Sequence, residues 1–154
     1  MNNPKKLINA KEFCFRLLKL RQRSEHELRQ RLIRKKFTAE TIEEVIAYLN
    51  KIKLINDREF SQSWIASRIN NFGKRRIVFE LRQKGISKEL IEESLEEFKE
   101  RFSDTDNLRE LARKKYDKFL QENQDSFKAK KRLFAFFMRK GYSPEIIIEI
   151  LESL

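Results

Sequence analysis

Three short segments of this chain share one design. Phe37-Thr38-Ala39, Ile86-Ser87-Lys88 and Tyr142-Ser143-Pro144 each place a hydroxyl residue after an apolar one, with a glutamate (Glu40, Glu89, Glu145) two positions beyond the hydroxyl. A hydroxyl oxygen accepts the orphan backbone N–H groups of a first helical turn, and a nearby carboxylate favours the positive end of the helix dipole. Thr38, Ser87 and Ser143 therefore predict helix starts. Pro144 agrees, because proline at the first helical position gives up no hydrogen bond. Downstream, apolar residues fall at helical spacing: Ile42, Val45, Ile46 and Leu49, then Ile91, Leu95 and Phe98, then Ile147, Ile150, Leu151 and Leu154, with Ser94 the one polar interruption. Nine and five residues before each apolar landmark stand Leu28 and Leu32, Ile77 and Leu81, and Leu133 and Phe137, which predicts a preceding helix in every unit.

A further amphipathic segment precedes each pair: Ala10 to Leu20, Asp57 to Ile69 with Phe60, Trp64 and Ile69 inward, and Leu108 to Leu120. The unit is thus three helices long. The landmarks at 37, 86 and 142 lie 49 and 56 residues apart, a period typical of helical repeats whose single units cannot bury their own apolar face. The expected architecture is all-α, three tandem three-helix repeats over 8–53, 54–102 and 103–154, in one elongated, curved array. With 3 Gly and 2 Pro in 154 residues, the turns of a sandwich or barrel cannot be built, whereas 13 Phe can fill a core. Gly85 and Gly141 stand where a left-handed helix end suits glycine, while Lys36 holds that place in the first unit and implies strain or a different turn.

The charge follows the repeat. The net charge is +11, and it gathers on the middle helices: +3 over 24–37, +4 over 74–86 and +6 over 126–142, against −1, −3 and −3 on the three closing helices. A helix-turn-helix DNA reader presents its second helix to the major groove, and here that helix would bring Glu89, Glu92, Glu93, Glu96 and Glu97 toward phosphates. Those acids argue against sequence-specific duplex reading. Arg31, Arg34 and Lys35, Arg75, Arg76, Arg82 and Lys84, and Lys131, Arg132, Arg139 and Lys140 are better placed to meet an anionic partner. The alternative is that each merely solvates a helix face and pairs with neighbouring acids. Recurrence in all three units argues against that for the stripe, although duplication alone would also hand on a sign pattern.

Catalytic chemistry finds no foothold. His26 is the one histidine, in the first turn of a capped helix, and Cys14 the one cysteine, between Phe13 and Phe15, so neither a zinc ligand set nor an activated nucleophile can be assembled. Three scattered glycines build no phosphate loop, and the carboxylates sit at spacings that pair with Lys and Arg. No metal, cofactor or enzyme activity is expected. The longest stretch without a charged residue, eight from Phe60 to Ser67, is far short of a membrane span, and the start lacks a signal-peptide core. A single cysteine fits a reducing interior, which leads to a cytoplasmic chain.

Asp57-x-x-Phe60, Trp64, Arg68 and Gly73-x-x-Arg76-Ile77-x-x-x-Leu81-x-x-Lys84-Gly85-Ile86 resemble the central signature of the RecX family, bacterial regulatory proteins that modulate RecA. Arg21-x-x-Ser24-x-x-x-Leu28-x-x-x-Leu32 and Arg139-Lys140-Gly141-Tyr142-Ser143 with Ile147 resemble its flanking repeats, so the likeness covers nearly the whole chain. Ser61, where the family usually has alanine, and Lys36, where it usually has glycine, depart from the pattern. The resemblance implies a non-enzymatic modulator in DNA repair, homologous recombination and the SOS response, and the chain is expected to be a monomer. It would bind the RecA filament on single-stranded DNA and limit its growth, ATPase, strand-exchange and co-protease activities. Arg68 and Lys74 join the basic residues above as expected contacts to RecA or DNA. The competing reading is a stand-alone, non-specific nucleic-acid-binding helical protein.

Overall fold

The structure, a computed structural model, describes residues 3–154. Those residues form ten helices and no strand: α1 (Pro4–Leu20), α2 (Glu25–Arg34), α3 (Ala39–Lys51), α4 (Asp57–Arg68), α5 (Lys74–Gln83), α6 (Lys88–Glu96), α7 (Lys99–Ser103), α8 (Asp106–Asn123), α9 (Ser126–Lys140) and α10 (Pro144–Glu152). The three expected caps are in place: Thr38 Oγ1 accepts the Thr41 N–H at 3.2 Å, Ser87 Oγ that of Leu90 at 3.2 Å, and Ser143 Oγ that of Ile146 at 3.4 Å. Asn3, Asn56 and Asp125 cap α1, α4 and α9 through their side-chain oxygens. At α2 the cap is reciprocal, Ser24 and Glu27 each accepting the other's backbone N–H.

The chain divides into two compact units, Met1–Ser63 with Leu81–Ser94, and Trp64–Glu80 with Leu95–Leu154. In the first, Ala10 and Cys14 of α1, Leu28 and Leu32 of α2 and Ile42, Val45, Ile46 and Leu49 of α3 form one buried cluster with Ile55. In the second, α8, α9 and α10 bury Leu108, Ala112, Phe119, Ala129, Leu133, Phe137, Ile147 and Ile150. The pairs at nine and five residues before each landmark are fully buried in all three repeats. Each such side chain contributes about 1.5 to 3 kcal/mol.

Every middle helix ends in the same turn. The N–H groups of Phe37, Ile86 and Tyr142 reach back to the carbonyls of Leu32, Leu81 and Phe137, and the residues before them, Lys36, Gly85 and Gly141, have φ of 62°, 74° and 89°. This is the left-handed helix end of a Schellman motif. In the first unit the Ser24 hydroxyl at the start of α2 donates to the carbonyl of Lys84 at 2.6 Å, just past α5. In the second, the Gly73 N–H before α5 donates to the carbonyl of Lys140 at 2.8 Å and that of Arg75 to Gly141 at 3.2 Å. The backbones approach so closely that a Cβ on Gly85 would lie 2.3 Å from His26 Cβ, and one on Gly141 2.5 Å from Arg76 Cβ. Lys36 is exposed, so its left-handed turn carries only the usual strain of about 1 to 2 kcal/mol.

Two local readings need correction. The segment 87–102 is not one helix: the Phe98 N–H closes a tight turn onto the Leu95 carbonyl at 3.0 Å, and α7 starts afresh, with Phe98 half-buried. On α4 the inward face is Phe60, Ser61 and Ile65, while Trp64, and Ile69 just past the helix end, are half-buried. The indole N–H accounts for the position of Trp64, since it donates to Glu80 Oε2 at 2.9 Å and must stay near the polar rim. Ser94, the polar interruption, is fully buried and its Oγ has no partner among the described residues.

Gly85→Ala is expected to destabilise by roughly 2 to 4 kcal/mol, combining left-handed strain with the collision at His26, whereas Lys36→Gly should stay within about 1 kcal/mol of the parent. Ser94→Ala removes an unpaired buried hydroxyl and should stabilise by about 1 kcal/mol. Urea unfolding of the three variants checks all of these; equal midpoints for Gly85→Ala and the parent would refute the close junction.

Candidate functional site

The basic residues expected as contacts separate into two groups. Arg31, Arg34, Lys74, Arg75, Arg82, Lys131 and Arg139 are exposed and form no ion pair among the described residues. The others are tied into the fold. Lys84 Nζ lies 2.7 Å from Glu27 Oε1, which Arg21 also holds at 2.8 Å. Arg68 and Arg76 both reach Glu80, at 3.3 and 3.1 Å, and Arg132 pairs with Glu122 and lies over the Phe119 ring. Lys35 sits over Phe13 at 5.7 Å, and Lys140 over Phe72 at 4.7 Å.

Phe72 is the centre of a cation cluster in the second unit. The Arg76 and Arg68 guanidinium carbons stand 4.3 and 5.2 Å from its ring centroid, beside Lys140. Arg68 also covers Trp64 at 4.8 Å, so Glu80, Trp64, Arg68, Arg76 and Phe72 form one connected group. Phe136 packs edge-on against Phe137 at 5.2 Å, with Lys115 at 4.4 Å from its ring. It is half-buried and belongs to the core margin.

The motif residues at the repeat starts are structural as well. Asp57 Oδ1 accepts the Glu25 N–H at 2.9 Å and so caps α2 from outside; burial raises its carboxyl pKa. His26 is exposed, and Cys14 is buried, its thiol pushed up to about 11 by desolvation, which leaves no thiolate for nucleophilic work. Arg23 escaped the sequence reading. It is buried, its Nε donates to the Leu17 carbonyl at the end of α1, and desolvation lowers its pKa. Its charge gave no hint, because an arginine next to a cap looks like any surface base. No group of metal-ligating side chains occurs among the described residues, and none of their helices is long and apolar enough to cross a membrane.

Family models for the first, second and third three-helix domains of RecX match residues 10–49, 56–95 and 103–151. The chain belongs to the RecX family. Its likeness to the protein named Regulatory protein RecX of Amycolatopsis mediterranei (strain U-32) is 38% identity over 146 residues, 94% of this chain and 82% of that protein. The RecX of Clostridium tetani (strain Massachusetts / E88) is 32% identical over 96% of this chain and 68% of its own length. The crystal structure of RecX from Lactobacillus salivarius shares the fold, with a TM-score of 0.84 at 22% identity over 99% of this chain and 98% of that one. In this chain the family-signature residues Gly73, Arg76, Lys84 and Gly85 all lie at the junctions between middle helices.

One of those junctions carries a pH signature. Burial alone would raise the Glu27 carboxyl, but hydrogen bonds from Arg21, Lys84 and the Ser24 N–H hold it at about 2, against 4.5 unperturbed. A depressed carboxyl stabilises above its unfolded pKa, so this contribution is whole above about pH 4.5 and lost as pH falls toward 2. Asp57, shifted upward, works in the opposite direction and offsets part of the loss. Glu27→Gln should cost roughly 2 kcal/mol at pH 6, allowing for solvent screening, and close to nothing at pH 2. Denaturant titrations of both proteins across that range measure it; a pH-independent difference would contradict the assignment.

Proposed function

We propose that this RecX-family chain binds the RecA filament on single-stranded DNA and restrains filament growth, with the ATPase, strand-exchange and co-protease activities that depend on it. The reading rests on the family together with one observation, the distribution of charge. Middle helices present unpaired arginines and lysines, while Glu89, Glu92, Glu93, Glu96 and Glu97 and the acids Glu145, Glu149 and Glu152 are all exposed on the closing segments. A nucleoprotein polymer offers phosphates and protein charges of both signs within one groove, which suits a surface divided in that way. The three repeats, 8–53, 54–102 and 103–154, would act as successive attachment units of a monomer in the cytoplasm. Nothing in this role calls for catalysis by the chain.

The free cations, rather than the internally paired ones, should carry the interaction. Arg76 is left aside as a test because reversing it would also break its bridge to Glu80. Arg75→Glu combined with Arg82→Glu alters only exposed, unpaired side chains. The parent protein is expected to lower the single-strand-dependent ATPase of RecA in a titration, and the double variant to need at least fivefold more protein with an unchanged thermal melt. An ATPase indifferent to equimolar parent protein would defeat the reading.

A further inference from the structure

One buried charge in the first unit has no counterion. Arg23, in the turn between α1 and α2, is only 7% exposed, and a guanidinium stays protonated whatever its surroundings. Its Nε donates to the Leu17 carbonyl at 3.3 Å. The two Nη groups have no partner among the described residues. They open to the surface, because among those residues Ser94 Oγ is the one side-chain polar atom that is both enclosed and unpartnered. Burial lowers the Arg23 pKa first and the Arg21 charge next, while Glu27 opposes that fall and Arg31 adds to it. Two further arginines and one carboxylate therefore face it.

That carboxylate cannot serve Arg23. A carboxylate has about four lone-pair positions, and four donors fill those of Glu27. Arg21 Nη2 at 2.8 Å and Lys84 Nζ at 2.7 Å meet Oε1, and Arg21 Nη1 at 3.2 Å and the Ser24 N–H at 3.1 Å meet Oε2. Arg31 follows Glu27 by one helical turn, a spacing at which opposite charges commonly pair, yet it has no ion pair among the described residues. Glu25 is held by Arg29 at 2.9 Å. An unpaired buried cation is costly, and water can satisfy its N–H groups without neutralising it.

The second repeat meets the same demand with a carboxylate of its own. The residues 49 positions after Glu27 and Arg31 are Arg76 and Glu80, the same pair in reverse order, and Glu80 receives Arg68 at 3.3 Å and Arg76 at 3.1 Å. Where the second repeat has that carboxylate, the first has Arg31, one more cation. A diffusible anion is what the first repeat lacks. A tetrahedral oxyanion has several oxygens that can meet two guanidinium forks at once, and its double charge matches two cations. A phosphodiester within a strand has two free oxygens and chain on either side, so a mostly buried arginine favours the free ion. We propose that Arg23 and Arg31 together hold one small divalent oxyanion, of the phosphate or sulfate class, at the α1–α2 turn. The site goes beyond the filament reading and does not rest on it.

The test compares thermal melts in sodium phosphate and in sodium chloride of equal ionic strength, alongside equilibrium dialysis of radiolabelled phosphate, for the parent, Arg23→Gln, Arg31→Glu and Lys6→Glu. Phosphate at about 10 mM should raise the parent melt by roughly 3 °C or more over chloride, and dialysis should saturate at one phosphate per chain. Arg31→Glu supplies the carboxylate that position 80 has in the second repeat, so it should abolish both responses while melting no lower than the parent in chloride. Arg23→Gln should abolish them too; Arg31 is exposed, so its variant keeps the fold even where loss of the buried arginine loosens it. Lys6→Glu makes the same charge change near the start of α1 and should keep both responses. A parent indifferent to phosphate at matched ionic strength, a response retained in Arg31→Glu, or one lost in Lys6→Glu would overturn the site. So would displacement of the bound phosphate by an oligothymidylate lacking terminal phosphates, which would make the occupant a phosphodiester of a strand. RecA is absent from these measurements, so the filament reading stands or falls separately.

Discussion

The fold depends on the meeting of a helix start with a helix end. A helix terminus leaves carbonyls without partners, and a start leaves N–H groups in the same state. Here starts and ends are brought together: the Ser24 hydroxyl at the start of α2 donates to the carbonyl of Lys84 after α5, and the N–H groups of Gly73 and Arg75 at the start of α5 donate to the carbonyls of Lys140 and Gly141 at the end of α9. Opposite ends of the helix dipoles face each other at both places, which adds to the hydrogen bonds. At the end of α5 the contact is made by the Ser24 hydroxyl and the His26 side chain, at the end of α9 by backbone N–H groups, and both approaches are this close because the end residue lacks a side chain. Gly85 and Gly141 meet that condition, and Gly73 meets it from the other side, where a Cβ would stand 2.3 Å from the Gly141 oxygen.

Much of the charge follows from this arrangement. Lys84 and Arg21 converge on Glu27 beside one junction, and Arg68 and Arg76 converge on Glu80 near the other. These cations align helix ends and cover aromatic rings. Arg31, Arg34, Lys74, Arg75, Arg82, Lys131 and Arg139 remain exposed and without an ion pair among the described residues. Signature residues such as Gly73, Arg76, Lys84 and Gly85 thus serve to join helix ends.

The fold was largely legible because helix caps and buried pairs are local. A hydroxyl followed by a glutamate, and apolar residues nine and five places ahead of a landmark, act within one or two turns, and the structure keeps them. What escaped were consequences of long-range contact. Asp57 acts on α2 from 32 residues away, Ser24 on Lys84 from 60, and neither spacing has a local pattern. Basic residues illustrate the same limit: sequence shows that Arg75 and Arg76 are neighbours, but only the placement of Glu80, Trp64 and Phe72 separates the one that is free from the one that is held. Trp64 looked like core for its size, and its indole N–H kept it at the rim.

Position 36 shows what the junctions ask of a helix end. At the first turn Lys36 takes the left-handed conformation with a full, exposed side chain, whereas at Gly85 a Cβ would stand 2.3 Å from His26. The strain of a left-handed residue, about 1 to 2 kcal/mol, is tolerable where solvent lies around it. A collision with a packed helix start adds to that strain and cannot be relieved by a small shift of a flexible chain end. The same turn therefore carries a lysine where it is exposed and glycine where a helix start packs on it, which is why the departure from the family pattern at position 36 leaves the fold intact.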